Sequence, residues 1–268
     1  FAVKKNEVTP GSIIEKIDGT DIKAGEDYNA LLDGKAGKNI RLTIKNAKGK
    51  RFDLTIKAIS QGAQQELLYK RWVDRNRAIV DSVSHGRIAY VHVKAMNSES
   101  FRTVYSELLS EKNRTKDAVI VDERHNGGGW LHDDLCTLLS GKQYQEFVPH
   151  GKVVGKDPFN KWTKPSCVLI CEDDYSNGHG FPWVYKELGI GKLIGAPVAG
   201  TMTAVWWETL MDRSLVFGIP QVGCRDMRGT FGENTTLQPD IEVYNSPEDY
   251  ITGHDTQLIR AVEEMMKK

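Results

Sequence analysis

The sequence predicts an α/β (α+β) chain, a core on a parallel sheet with a small β-rich unit ahead of it, and three observations carry that expectation. Apolar runs at 87–93, 118–122 and 167–171 read as buried strands. Helical patterns separate them: Phe101, Val104, Tyr105, Leu108 and Leu109 in the first interval, and a glycine loop with a helix at 130–139 in the second. Strand, helix, strand, loop, helix, strand is the order of a parallel sheet with covered faces. Near the start of the chain, 39–45 and 51–57 instead alternate apolar with polar residues around Ala47-Lys-Gly-Lys50, the pattern of a hairpin with one buried face.

Taken in order, residues 12–17 predict a strand, Asp18-Gly19 a tight turn, and Ile22 the opening of a second short strand. Residues 26–32 predict a helix ended by Asp33-Gly34, and the hairpin completes a unit at 1–59. Residues 60–84, with Gln64, Gln65, Glu66 and then Tyr69-Lys-Arg-Trp-Val-Asp-Arg75, read as a polar, basic connector. The core is expected over 85–268. After the strand at 167–171 come a helix carrying Trp183, Val184, Leu188 and Ile190, a short strand at 191–195, and further β structure at 204–210 and 215–220. A loop from Glu233 returns to a strand, and a helix at 255–266 closes the chain with Leu258, Ile259, Val262, Met265 and Met266 as its core face.

Composition bounds the function. The 268 residues allow one large domain or two smaller ones. Lysine and arginine number 36, aspartate and glutamate 36, so no broad basic surface for nucleic acid or an acidic membrane is expected. No apolar run reaches membrane-spanning length. The chain starts at Phe1, already inside a patterned region, so it is expected to be a piece of a longer polypeptide whose compartment is set elsewhere. Cys167 and Cys171 would lie about 13 Å apart on one strand, too far to bond to each other. With Cys136 on a helix and Cys224 in a loop, free thiols are expected.

Sites in parallel α/β sheets lie beyond the carboxyl ends of strands, where loops 122–129 and 172–178 fall. Ser176 sits where its loop enters a helix, beside backbone N–H groups with no partner inside that helix. It reads either as a nucleophile, with those amides stabilising an oxyanion, or as an N-cap accepting from Gly178 or His179. Gly127-Gly-Gly129 reads as an anion or oxyanion cradle, or simply as a permissive loop. It is a poor phosphate loop, because no Gly-Lys-Ser/Thr follows.

Four segments together resemble one family. Ile120-Val-Asp-Glu-Arg-His-Asn-Gly-Gly-Gly129, Tyr175-Ser-Asn-Gly-His-Gly-Phe-Pro-Trp183, Leu188-Gly-Ile-Gly-Lys-Leu-Ile-Gly-Ala-Pro197 and Glu233-Asn-Thr-Thr-Leu-Gln-Pro-Asp-Ile-Glu-Val243 look like the catalytic core of the tricorn proteases. These are relatives of the carboxyl-terminal processing proteases, with a crotonase/ClpP-like core. Pro10-Gly-Ser-Ile-Ile-Glu-Lys-Ile-Asp-Gly19, with the helix and hairpin after it, resembles a PDZ domain lacking its first strands. The resemblance implies a serine peptidase with Ser176 as nucleophile, 19 residues before Gly195 as in the family. It implies an oxyanion hole from the Asn177 amide and one of the Gly127/Gly128 pair, and Glu233 as the carboxylate completing the catalytic group. Two departures stand out: Asn177 and His179 replace residues that are usually acidic, and Thr201 falls where carboxyl-terminal processing proteases carry a lysine base. The tricorn base, a histidine, precedes the PDZ unit and would lie upstream of this chain, so the fragment alone is expected to be inactive.

Among the seven histidines, His179 and His125 are the candidate substrate contacts, His179 for its place three residues past Ser176 and His125 for its place beside the glycine loop. His132 and Cys136 share a helical face without further ligands, so neither metal nor organic cofactor is expected. Expected partners are a peptide or unfolded protein and further copies of the chain. The family resemblance points to the cytoplasm, with export the alternative. The competing functions are a non-catalytic peptide binder on the same scaffold and a crotonase-type acyl-CoA enzyme.

Overall fold

The computed structural model describes residues 8–267. The chain divides into two compact units, one running to Trp72 and the other starting at Val73.

In the first unit, β1 (Ile13–Ile17), β2 (Thr20–Asp21), β3 (Asn39–Lys45) and β4 (Arg51–Lys57) form an antiparallel sheet in the order β2-β1-β3-β4. The β3–β4 hairpin pairs Asn39 with Lys57 through to Lys45 with Arg51. Its alternation buries Ile40, Leu42 and Ile44 with Ile17 on one face. The helix expected at 26–32 is only a 3-10 turn, Tyr28–Leu31, capped by the Asp27 carboxylate. Residues 1–7 of the expected β unit lie outside the described residues.

The stretch read as a connector is a helix, α1 (Gln61–Val83). Its glutamines, arginines and alanines are good helix formers, and only Val73, Asn76 and Val80 are buried, too narrow a stripe to stand out in the sequence.

The second unit is built on five parallel strands: β5 (Ile88–His92), β6 (Ala118–Asp122), β9 (Ser166–Ile170), β10 (Lys192–Gly195) and β13 (Ile241–Glu242), ordered β13-β10-β9-β6-β5. α2 (Ser98–Leu108) and the short α3 (Glu111–Arg114) link β5 to β6, α4 (His132–Leu139) follows the glycine loop, and α5 (Asn177–Glu187) links β9 to β10. Two small antiparallel pairs stand outside the sheet: β7 (Gln145–Phe147) with β8 (Gly155–Asp157), and β11 (Ala204–Thr209) with β12 (Val216–Val222). Ala89, Val91, Val119, Val121, Val168, Ile170 and Leu193 share a core with Leu108, Leu135 and Phe181 of the linking helices. The alternate strand residues point to the other face. There α7 (Thr256–Met266), preceded by the short α6 (Pro247–Thr252), meets β5, β6, β9 and β10.

One buried ion cluster joins α7 to the end of β6. The Arg124 guanidinium donates to Asp122 at 2.8 and 2.9 Å, to Asp255 at 2.9 and 3.0 Å, and to Gln257 at 3.0 Å. Asp255 also caps α7 by accepting from Leu258 N–H. Burial works against charge on Asp122, yet the guanidinium beside it holds its carboxyl below the usual range. Arg124→Ala is expected to leave two carboxylates buried without their cation. The unfolding free energy of this unit should fall by about 3–5 kcal/mol, read from urea midpoints.

Candidate active site

The loops leaving β6 and β9 meet beyond the carboxyl ends of those strands, and Asn126 ties them together. Its N–H donates to Asp174 Oδ1 (3.1 Å), its carbonyl accepts from Tyr175 N–H (2.9 Å), and its side-chain amide donates to the Val93 carbonyl (2.8 Å). Its Oδ1 accepts from Gly128 N–H at 2.9 Å. Asn126 is fully buried, and nothing in its sequence neighbourhood marks it as the hinge-pin of the site.

Ser176 has φ 55° and ψ −118°, far from the extended backbone of an ordinary N-cap, and its side chain makes no capping hydrogen bond. A non-glycine residue held there carries on the order of 1–3 kcal/mol of strain. The turn presents the hydroxyl instead of spending it on the helix. The Ser176 N–H donates to Thr201 Oγ1 at 3.0 Å, so Thr201 holds the turn. Among the described residues no nitrogen or carboxylate hydrogen-bonds with the Ser176 hydroxyl.

Ser176 opens on a cavity of about 420 Å³ lined by Gly127, Gly128, Asn177, Trp130, Met202 and Trp207, among others. The N–H groups of Gly127 and Asn177 have no acceptor among the described residues, whereas that of Gly128 is taken by Asn126. Gly128 has φ +94°, and a Cβ there would stand 2.6 Å from Ser176 Cβ, 2.8 Å from the Tyr175 carbonyl and 3.1 Å from Asn177 N. Only glycine fits between the two loops.

The Asn177 side chain does work that the sequence did not reveal. Its Oδ1 accepts from Leu131 N–H (2.7 Å) and His132 N–H (3.1 Å), capping α4 from a different segment, and its Nδ2 faces His132 Nδ1 at 2.9 Å.

Three of the expected site residues do not join this cavity. Glu233 Oε2 accepts from Thr203 N–H at 2.8 Å, holding the segment that carries Thr201 without lining the Ser176 cavity. The His179 ring is fully buried against Trp183, with centroids 5.3 Å apart. His125 points away to Asp173, its Nδ1 3.0 Å from the carboxylate.

Comparisons with known proteins fit this geometry. The model of peptidase family S41 matches residues 87–243, and that of the tricorn protease PDZ domain matches residues 5–61. The tricorn protease of Thermoplasma acidophilum is 28% identical over 259 residues, covering 96% of this chain and 24% of that protein. A tricorn protease homolog of Saccharolobus solfataricus is 29% identical over 207 residues, covering 75% of this chain and 19% of that protein. The crystal structure of the tricorn protease superposes with a TM-score of 0.84 at 28% identity, over 96% of this chain and 25% of that one. The chain thus spans about a fifth to a quarter of the length of these relatives.

Two outcomes are expected here. Gly128→Ala should destabilise the core unit by about 2 kcal/mol in urea unfolding, from strain and overlap together. Burial lowers the pKa of His179 to about 4 from an ordinary 6.5, with the Thr235 backbone and the Glu233 charge pulling the other way. A lowered folded pKa stabilises above pH 6.5, and that contribution is lost as pH falls toward 4. Urea midpoints should therefore drop across that range, by up to about 3 kcal/mol, and His179→Phe should flatten the drop.

Proposed function

The chain belongs to peptidase family S41, and on that premise we propose that it is the serine peptidase core of a tricorn-type protease. The observation that carries this reading is the backbone of Ser176, a strained turn that gives up its capping role to expose a hydroxyl beside two unpartnered amides. Ser176 Oγ attacks the scissile carbonyl. The N–H groups of Asn177 and Gly127 receive the developing oxyanion, and Gly128 contributes by having no side chain. Glu233 orders the Thr201–Thr203 segment that holds the nucleophile's own N–H. A serine needs an adjacent base at neutral pH, and the proposed one is a histidine upstream of this chain. The second unit's finer description is a crotonase/ClpP-like core, and residues 1–59, within the first unit, are a PDZ-like module that binds or gates the peptide along a sheet edge. The substrate is a peptide or unfolded protein, and assembly into homo-oligomers is part of the same proposal, as is the absence of a nucleic-acid role.

One observation favours a second reading, a peptide-binding protein without catalysis: no base reaches the Ser176 hydroxyl among the described residues. A fluorophosphonate probe separates the two, with the modified residue located by mass spectrometry on this chain and on a version extended upstream. Labelling at Ser176 in the extended protein, lost in Ser176→Ala together with peptidase activity by on the order of 10⁴-fold, is the expected result. A folded extended protein that neither labels nor cleaves peptides leaves the binding reading in its place.

A further inference from the structure

A second cluster of reactive side chains sits where the same two loops begin, outside the Ser176 cavity. His125 Nδ1, Cys171 Sγ and a carboxylate oxygen of Asp173 all lie within 4.8 Å of one another. The separations are 3.0 and 3.1 Å from His125 Nδ1 to the Asp173 oxygens, 3.8 Å from Cys171 Sγ to His125 Nδ1, and 2.7 Å from Cys171 Sγ to Asp173 Oδ1. Bonds of about 2.0–2.3 Å to a tetrahedral ion put ligand atoms some 3.3–3.8 Å apart. Two edges of the triangle are near that already, and the third opens by a small rotation of an Asp173 side chain that is 62% exposed.

Burial, Asp174 and the Asp173 hydrogen bond all raise the pKa of the Cys171 thiol, so forming the sulfur ligand depends on the charge of the incoming cation. The His125 N–H donates to Cys171 Sγ at 3.2 Å, the kind of outer hydrogen bond that orients and stabilises a sulfur ligand. Asp174 accepts from Cys171 N–H (2.8 Å) and from Asn126 N–H (3.1 Å), fixing the corner of the loop. His125 holds φ 68°, outside the ordinary range for a side-chain-bearing residue. Cys171 is buried, while the His125 side chain is 51% exposed, so an ion could enter from solvent and keep a fourth position for water.

We propose that His125, Cys171 and Asp173 form a site for a thiophilic divalent cation, with zinc(II) the best match to one thiolate, one imidazole and one carboxylate. Thiolate and carboxylate together balance the ion's charge. On binding, the Cys171 thiol proton leaves to solvent and the sulfur–metal bond forms, with no change of oxidation state. The ion would pin the β6 loop to the β9 loop, one residue before Asn126 on one side and three before Ser176 on the other. The site is independent of the peptidase reading, since its test reads metal and not turnover.

The test uses the full chain, free of any polyhistidine tag and stripped with a chelator. It is titrated with zinc(II) against a chromophoric zinc indicator, and with cobalt(II) by absorption. Expected are one ion per chain and a thiolate-to-cobalt charge-transfer band. His125→Ala and Asp173→Ala, both at exposed positions that leave the fold intact, should each weaken zinc binding by more than about tenfold. Cys171→Ser should remove the charge-transfer band, and Cys136→Ser and Cys224→Ser should keep it. Absence of stoichiometric zinc binding overturns the proposal. So does binding untouched by His125→Ala and Asp173→Ala, or a band that vanishes with Cys224→Ser.

Discussion

The structure of the core unit depends on Arg124 staying charged inside the protein. Its planar fork fills the space between Asp122 at the end of β6 and Asp255 at the start of α7, 131 residues away in sequence. Moving such a group out of water is expensive, and only close, well-directed carboxylates offset it. Because Asp255 also caps α7, one ion cluster fixes both the helix on one face of the sheet and the first residue of the glycine loop. Tyr90 adds its hydroxyl to Asp122 at 2.9 Å, and Asn76 of α1 reaches that hydroxyl in turn, so the cluster extends across β5. Two further acids are buried near it: Glu123, driven toward its neutral form by burial, and Asp174, whose carboxyl is pushed up to about 8 by burial. The starts of the two loops are thus ordered by the pairing of Arg124 with Asp122 and Asp255, and by the hydrogen bonds that Asp174 accepts from Cys171 and Asn126.

From that base, order is passed outward by backbone groups. Asn126 joins the two loops with two hydrogen bonds, to Asp174 and from Tyr175, and braces its own side through Val93 and Gly128; Gly128 passes so close to Ser176 that no Cβ can stand between them. Strain at Ser176 persists because its surroundings over-determine it: Thr201 holds its N–H, and the Tyr175 N–H is held by Asn126. The N–H groups of Gly127 and Asn177 are left without acceptors among the described residues, at the wall of a partly covered cavity.

Much of this was legible in the sequence because it rests on patterns of short range. Unbroken apolar runs located β5, β6 and β9, alternation located the β3–β4 hairpin, and the strand-to-helix turn singled out Ser176. What was hidden depends on distance in sequence or on polar residues. α1 looked like a connector because its buried stripe is three residues wide in 23. Asn126 and Thr201 are unremarkable residue types whose importance comes from partners 48 and 25 residues away. His179 stood out by its spacing from Ser176, and the sequence did not show that its ring would be fully buried against Trp183. The grouping of His125 with Cys171 and Asp173 likewise arises only when two loops 46 residues apart are brought side by side.

The asparagine at 177 shows how one side chain can serve two elements at once. Its position is set by the start of α5, and its side chain must reach the open end of α4, where Leu131 and His132 offer N–H groups. A carboxylate would serve those two donors as well, with added benefit from the helix dipole. It could not donate to His132 Nδ1, which would then have to carry its own proton toward the acid. The amide meets all three partners. Asn177 therefore keeps the cap on α4 without placing a carboxylate beside the Ser176 cavity that it lines.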